Sequence, residues 1–189
     1  MRNIDKRLFN ALSLNEVDKI KQLIERGADV NAQTEYEATP IHIVACVGDA
    51  AIADILLNNG ANVNIQTTSG VSPLHCAKDV EMAKVLIRHG ANVMARTTSG
   101  CTPLHDAKDG AIAQQLIDSG ADVNALASDG CTPLHHARNV EVAKILIENG
   151  AQINVIDNEG MTPLARSQSK EIAAFLRQNG AVWRGPTDD

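Results

Sequence analysis

Aromatic side chains are nearly absent from this chain. Phe9, Tyr36, Phe175 and Trp183 are the whole set, 2% of 189 residues, and all four lie toward the two ends. The long middle must be packed with Ala, Leu, Ile and Val, which suits thin, closely spaced layers. A basic excess is missing too: 17 Lys and Arg stand against 23 Asp and Glu, a formal net charge of -6, with no clustered basic face. That argues against an electrostatic grip on nucleic acid, because phosphate binding needs concentrated Lys and Arg. No apolar run approaches the roughly 20 residues that span a bilayer, and the opening Met1-Arg2-Asn3-Ile4-Asp5-Lys6-Arg7 has no apolar signal core. The expectation is a soluble, cytoplasmic protein with no membrane partner, whose 44% hydrophobic and 21% charged residues suit one globular domain.

Cysteine is sparse, and its four positions do not form a secreted disulfide framework. Cys101 and Cys131 hold the same place 30 residues apart. Neighbouring helices pack about 8 to 10 Å apart, whereas a disulfide needs Cα atoms closer than roughly 7 Å. Those two are expected to be thiols. Spacing does not settle the distance between Cys46 and Cys76.

One tetrapeptide pattern dominates what is present. It reads Thr39-Pro40-Ile41-His42, Ser72-Pro73-Leu74-His75, Thr102-Pro103-Leu104-His105, Thr132-Pro133-Leu134-His135 and, without its histidine, Thr162-Pro163-Leu164-Ala165. A second marker, Gly-Ala-Xaa-Val, begins at Gly27, Gly60, Gly90 and Gly120, with variants at Gly150 and Gly180. The first interval between these glycines is 33 residues and the later ones are 30. A fixed period in this range means a row of small, similar supersecondary units.

Residues 70 to 94 show how one unit builds itself. Ser72 is placed to cap a short helix through Leu74, His75, Cys76 and Ala77, and Pro73 sits at its first position, where the missing N–H costs little. Asp79 caps a second helix in which Met82, Ala83, Leu86 and Ile87 make one apolar face. Gly90 stops it by entering the left-handed region without penalty. A turn-rich stretch, Ala95 to Gly100, leads to the next Thr-Pro. Two helices this short cannot bury their own apolar face, so each unit leans on its neighbours.

The order Thr-Pro-Leu-His, paired helices, Gly-Ala-Asp-Val-Asn resembles the ankyrin repeat along nearly the whole chain. The resemblance implies an all-α solenoid of stacked helix-turn-helix units with protruding hairpin-like loops. It divides a single domain, 1–185, into units 1–32, 33–65, 66–95, 96–125, 126–155 and 156–185, followed by a short tail, 186–189. Both ends look like caps, because Leu8-Phe9-Asn10-Ala11 replaces the Thr-Pro motif at one end and the last unit ends Ala181-Val182-Trp183, where Trp183 is expected to seal the last layer. Four units are three residues shorter than the 33-residue pattern, and alignment puts the deletion at the turn between the helices, where Gly48-Asp49 survives only in the second unit. Glu37 stands where the other loops have Gly70, Gly100, Gly130 and Gly160, which predicts a differently shaped first loop.

The histidine column His42, His75, His105 and His135 is implied by the resemblance to brace the Thr-Pro turn and the adjacent unit. The competing reading is a metal or enzymatic site built from Cys-x3-His pairs, Cys101 with His105 and Cys131 with His135-His136. The same register pairs Val71 with His75, so the spacing follows from repetition and metal is not expected. His105-Asp106 is too short a motif to carry phosphohydrolase chemistry. No phosphate loop, nucleophile elbow or perturbed acidic pair accompanies it. No enzyme activity and no cofactor are expected. Lys78, Lys108 and Arg138 form a basic ladder, read as a solvated turn in preference to a stripe for an acidic partner.

Recognition is expected where residue identity drifts on a constant frame. After the histidine the series is Ile43, Cys76, Asp106, His136 and Arg166. In the loops it includes Tyr36, Thr68, Ser69, Arg96, Thr98, Ser99, Leu126, Ser128, Asp129 and Ile156. The resemblance implies that both sets line a concave binding face. Hot-spot chemistry singles out Tyr36, Arg96 and Arg166, with Leu126 and Ile156 as apolar anchors. The expected function is a non-catalytic protein-binding module, an adaptor, inhibitor or targeting element, acting as a monomer on another protein.

Overall fold

The computed structural model describes residues 1–167 and 169–185, so the expected tail, 186–189, lies outside the described residues. The described residues are all-α, with no strand. They fall into two compact bodies, Met1–Asn92 and the chain from Val93 onward. No helix among them is long and apolar enough to cross a membrane.

The first body holds α1 (Asn3–Ser13), α2 (Val17–Glu25), α3 (Pro40–Val47), α4 (Ala50–Asn58), α5 (Pro73–Cys76) and α6 (Val80–Arg88). Helices pack in pairs and then pair on pair: α1 meets α2 and α3, α3 meets α4 and α5, and α4 meets α6. The core between them is aliphatic, with Leu8, Leu12, Ile20, Ile41, Ile52, Leu56, Met82 and Leu86 fully buried. Burying one such side chain is worth about 1.5 to 3 kcal/mol. Asp79 caps α6 as its position requires, accepting from Met82 N–H at 2.9 Å. Beyond α6 the chain turns at Gly90, φ +86°, and Ala91 N–H returns to Leu86 carbonyl at 3.0 Å.

The second body holds a 3-10 turn at Pro103–Asp106, then α7 (Gly110–Asp118), α8 (Val140–Glu148), α9 (Pro163–Arg166) and α10 (Lys170–Gln178). Asp109, Asn139 and Ser169 cap α7, α8 and α10 by accepting from the N–H of Ile112, Val142 and Ile172. Ile112, Leu116, Val142, Leu146, Ile172 and Leu176 fill its core.

The three-residue deletion does more than trim a connecting turn. Eight-residue α3 is followed by Gly48, φ +94°, whereas α5 stops at Cys76 and leaves the expected Ala77 outside the helix. At Pro103 only a 3-10 turn remains, and at Pro133 only a hydrogen-bonded turn. With six residues from Pro73 to the capping Asp79, against nine from Pro40 to Asp49, the first helix has room for one turn.

Two further expectations are corrected. Glu37 takes the left-handed conformation itself, φ +59°, and closes its loop as Gly70 does. Glu37 N–H reaches Thr34 carbonyl at 3.0 Å and Gly70 N–H reaches Thr67 carbonyl at 2.8 Å, so the loops share one shape. Trp183 does not seal a layer: it is 64% exposed. Its ring lies over Gly185, where an added Cβ would stand 2.5 Å from the indole.

Successive repeats within each body are laced by asparagines. Asn31 donates to Gly60 carbonyl at 2.8 Å and accepts from Asn62 N–H at 2.8 Å. Asn64 repeats this on Gly90 and Asn92, Asn124 on Gly150 and Gln152, and Asn154 on Gly180 and Val182. Met94 occupies the same register position, and there Asp122 N–H meets only a thioether sulfur, at 3.3 Å.

Candidate functional site

Histidine braces the turns at Thr39, Thr102 and Thr132 from both sides. In the first body Nδ1 of His42 takes the Thr39 backbone N–H at 3.2 Å and lies 2.9 Å from the Thr39 hydroxyl, while Nε2 lies 3.0 Å from Val71 carbonyl. In the second body His105 links Thr102 to Cys131 carbonyl, and His135 links Thr132 to Met161 carbonyl. A carbonyl only accepts, so Nε2 carries the proton; Nδ1 then accepts from both the N–H and the hydroxyl. The neutral tautomer is built into the turn. Burial lowers the imidazole of His42, His105 and His135, with His105 brought down to about 4. Both ring nitrogens of His105 and His135 are thereby spent, so neither ring is available to a Cys-x3-His ligand set; His136 is not engaged in this way.

Backbone hydrogen bonds tie loop tips to their neighbours. Thr68 N–H reaches Tyr36 carbonyl at 3.4 Å in the first body, and in the second Ser128 N–H reaches Ser99 carbonyl and Asn158 N–H reaches Asp129 carbonyl, both at 2.9 Å. The side chains of Tyr36, Thr68, Ser69, Arg96, Thr98, Ser99, Leu126, Ser128, Asp129 and Ile156 stay exposed. Tyr36 is 70% exposed, Leu126 52% and Ile156 43%, so these three present real apolar area. The residues after the histidine, Ile43, Cys76, Asp106, His136 and Arg166, are all half-buried. The two series therefore differ: tips project, while the second set sits lower against its turn.

Two expected hot spots have other work. Arg96 donates to Gly100 carbonyl at 2.9 Å and to Leu126 carbonyl at 2.7 Å, tying one loop to the next. Arg166 is paired with buried Asp157 and, at 3.1 Å, with Glu159. Asp157 also accepts from the N–H of Glu159 at 2.8 Å and of Met161 at 3.0 Å. Burial alone would raise this carboxyl, but those donors and the guanidinium hold it below the usual carboxylate range. Neither contact was legible in the sequence, because each depends on how a loop folds back. In the basic ladder, Lys78 donates to Val47 carbonyl at 2.8 Å, the C-terminal end of α3. Arg138 lies on the wall of an open pocket in the second body.

That pocket, about 390 Å³, is lined by His135, His136, Arg138, Arg166, Ser167 and Ser169 among others. Beside it the structure gathers residues that the sequence had assigned to separate roles. Asp129, Cys131 and His136 bring one ligand-type atom each to within 4.8 Å of one another. Asp129 accepts from Cys131 N–H at 3.0 Å, and the Cys131 thiol points to Asp157 at 3.8 Å. Burial, then the charge of Asp129, pushes the Cys131 thiol up to about 12. No disulfide joins the four cysteines.

The profile "Ankyrin repeats (3 copies)" matches residues 8–97 and 107–184. Ankyrin repeat domain-containing protein 37 of Bos taurus is 42% identical over 66 residues, 34% of this chain and 42% of that protein. The RelA-associated inhibitor of Mus musculus is 34% identical over 70 residues, 37% of this chain and 8% of its own length. The 2-5A-dependent ribonuclease of Mus musculus is 33% identical over 70 residues, 36% of this chain and 10% of its own. The matched segments thus span less than half of each of these relatives. With the repeated Thr-Pro turns, the paired helices and a family profile over most of its length, the chain belongs to the ankyrin repeat family.

Proposed function

We propose that the chain is a non-catalytic protein-binding module that recognises a partner protein through its loop tips, with the half-buried residues after each Thr-Pro turn as the floor of the contact. Ankyrin repeats commonly bind proteins, and one relative is named for its association with another protein. The observation that carries the reading is the backbone lacing of successive tips beneath varied, exposed side chains. A surface ordered before binding loses little conformational entropy on association. Tyr36, Leu126 and Ile156 supply the anchoring area, whereas Arg96 and Arg166 act indirectly, by holding loop shape. Adaptor, inhibitor and targeting roles all follow from such a surface, with the chain acting as a monomer.

The test uses capture from the native host with the tagged chain, followed by mass spectrometry, then affinity measurement on the captured protein. Leu126→Asp and Ile156→Asp are expected to weaken binding at least tenfold while circular dichroism stays unchanged. A partner held equally well by the Tyr36→Ala, Leu126→Asp and Ile156→Asp variants would sink the loop-tip reading.

A further inference from the structure

We propose that Asp129, Cys131 and His136 form a binding site for a borderline divalent cation of the zinc type. The proposal does not rest on the partner-binding reading, although Asp129 and His136 belong to the surface described there.

Three donors of different chemistry converge here, with their ligand atoms within 4.8 Å of one another. Tetrahedral zinc with bonds of about 2.0 to 2.3 Å needs ligand atoms roughly 3.3 to 3.8 Å apart. Closing that difference takes at most about 1.0 to 1.5 Å, within reach of side-chain rotation at an exposed Asp129 and a half-buried His136. One sulfur, one imidazole nitrogen and one carboxylate oxygen suit zinc and not magnesium or calcium, which want oxygen.

His136 supplies the second observation. Unlike His105 and His135 in the same body, its ring makes no hydrogen bond among the described residues; its recorded ring contact is edge-on to His105, with centroids 5.3 Å apart. A ring nitrogen not committed to a hydrogen bond can serve as a ligand in its neutral form. Asp129 is already oriented, since Cys131 N–H binds one carboxylate oxygen at 3.0 Å. His136 also lines the open pocket, which brings solvent to its ring.

Charge balances on binding. Asp129, exposed and accepting from Cys131 N–H, supplies one carboxylate charge. The Cys131 thiol loses its proton to bulk water as the sulfur–metal bond forms, so two negative charges meet the dication. The nearby Arg166 cation is compensated by Asp157 and Glu159. The positions follow no Cys-x3-His rule: the sulfur and the imidazole are five residues apart, across the Thr132-Pro133 turn.

The full chain, stripped of metal with a chelator, is titrated with Zn²⁺ alone by calorimetry and with Co²⁺ by absorption. One equivalent is expected to bind, and Co²⁺ is expected to give a thiolate charge-transfer band. His136→Gln and Asp129→Asn should each weaken zinc at least tenfold with the helical signal intact, and Cys131→Ser should abolish the band. Cys131 is buried, so its serine variant risks the fold; His136, with no hydrogen bond to lose, carries the decision. Absence of stoichiometric binding at micromolar zinc, or binding undiminished in His136→Gln, overturns the proposal.

Discussion

Two adjacent turns of the second body do the same job by different means. At Thr132 the backbone N–H and hydroxyl are taken up by His135, three residues on, which then reaches Met161. At Thr162 the histidine is replaced by Ala165, and a distant segment steps in. Thr162 N–H donates to Arg184 carbonyl at 3.0 Å, its hydroxyl donates to Val182 carbonyl at 2.9 Å, and Arg184 N–H comes to that hydroxyl at 3.3 Å. The polar groups of a Thr-Pro turn are buried in both cases and must be satisfied, but the identity of the partner is open. What the turn demands is a hydrogen-bonding complement, and histidine is one supplier.

The largest expected effect breaks the first kind of turn. His105→Leu strands the Thr102 N–H, the Thr102 hydroxyl and the Cys131 carbonyl in a site where His105 is 2% exposed. Urea denaturation is expected to show a loss of about 3 kcal/mol or more.

Acid attacks the same feature. The folded-state value of His105 lies near 4, below the ordinary 6.5, so between those limits the unfolded chain binds more protons. Stability is full above pH 6.5 and falls as pH drops toward 4, by up to about 3 kcal/mol from this one ring. His42, His135 and His136 are shifted in the same direction and add to the slope. Urea midpoints at neutral and mildly acid pH check this, and His105→Leu should flatten the profile.

The second kind of turn is tested by Thr162→Val, which keeps the shape and removes the hydroxyl between Val182 and Arg184. A loss of about 1 to 2 kcal/mol is expected in urea. A change as large as that of His105→Leu would mean that segment 182–184 matters more than a histidine brace.

The smallest effect comes from repairing a weak rung. Met94→Asn should restore what Asn124 does for Gly150 and Gln152, and raise stability by about 1 kcal/mol. A melting-temperature rise measures it, and Asn124→Met should lower stability by a similar amount.

Helix caps and first helical positions were legible in the sequence because their backbone partners lie within three residues. Asp79 three residues before Met82 N–H reads as a cap, Pro73 as a first helical position, and Thr67 to Gly70 as a tight loop, because backbone sterics decide these locally. The 30-residue spacing likewise announced a row of interdependent layers. The shortened first helix was half legible: the missing three residues were visible, but not that α5 would end at Cys76.

Only the tertiary structure could decide contacts made across 26 to 30 residues, such as Arg96 with Leu126 carbonyl or Cys131 with Asp157. Which of two chemically able groups meets a given donor depends on how one layer sits on the next, and no periodicity encodes it. Trp183 lying exposed over Gly185, and His136 left beside Cys131 with no hydrogen bond among the described residues, are decisions of that kind. The chain alone determined the repeat, the helix caps and the apolar faces, because those follow from backbone geometry and solvent exclusion. The folded molecule determined which polar side chains are consumed in holding it together and which remain for a ligand, because hydrogen bonds are short-ranged and only packing brings their ends within reach.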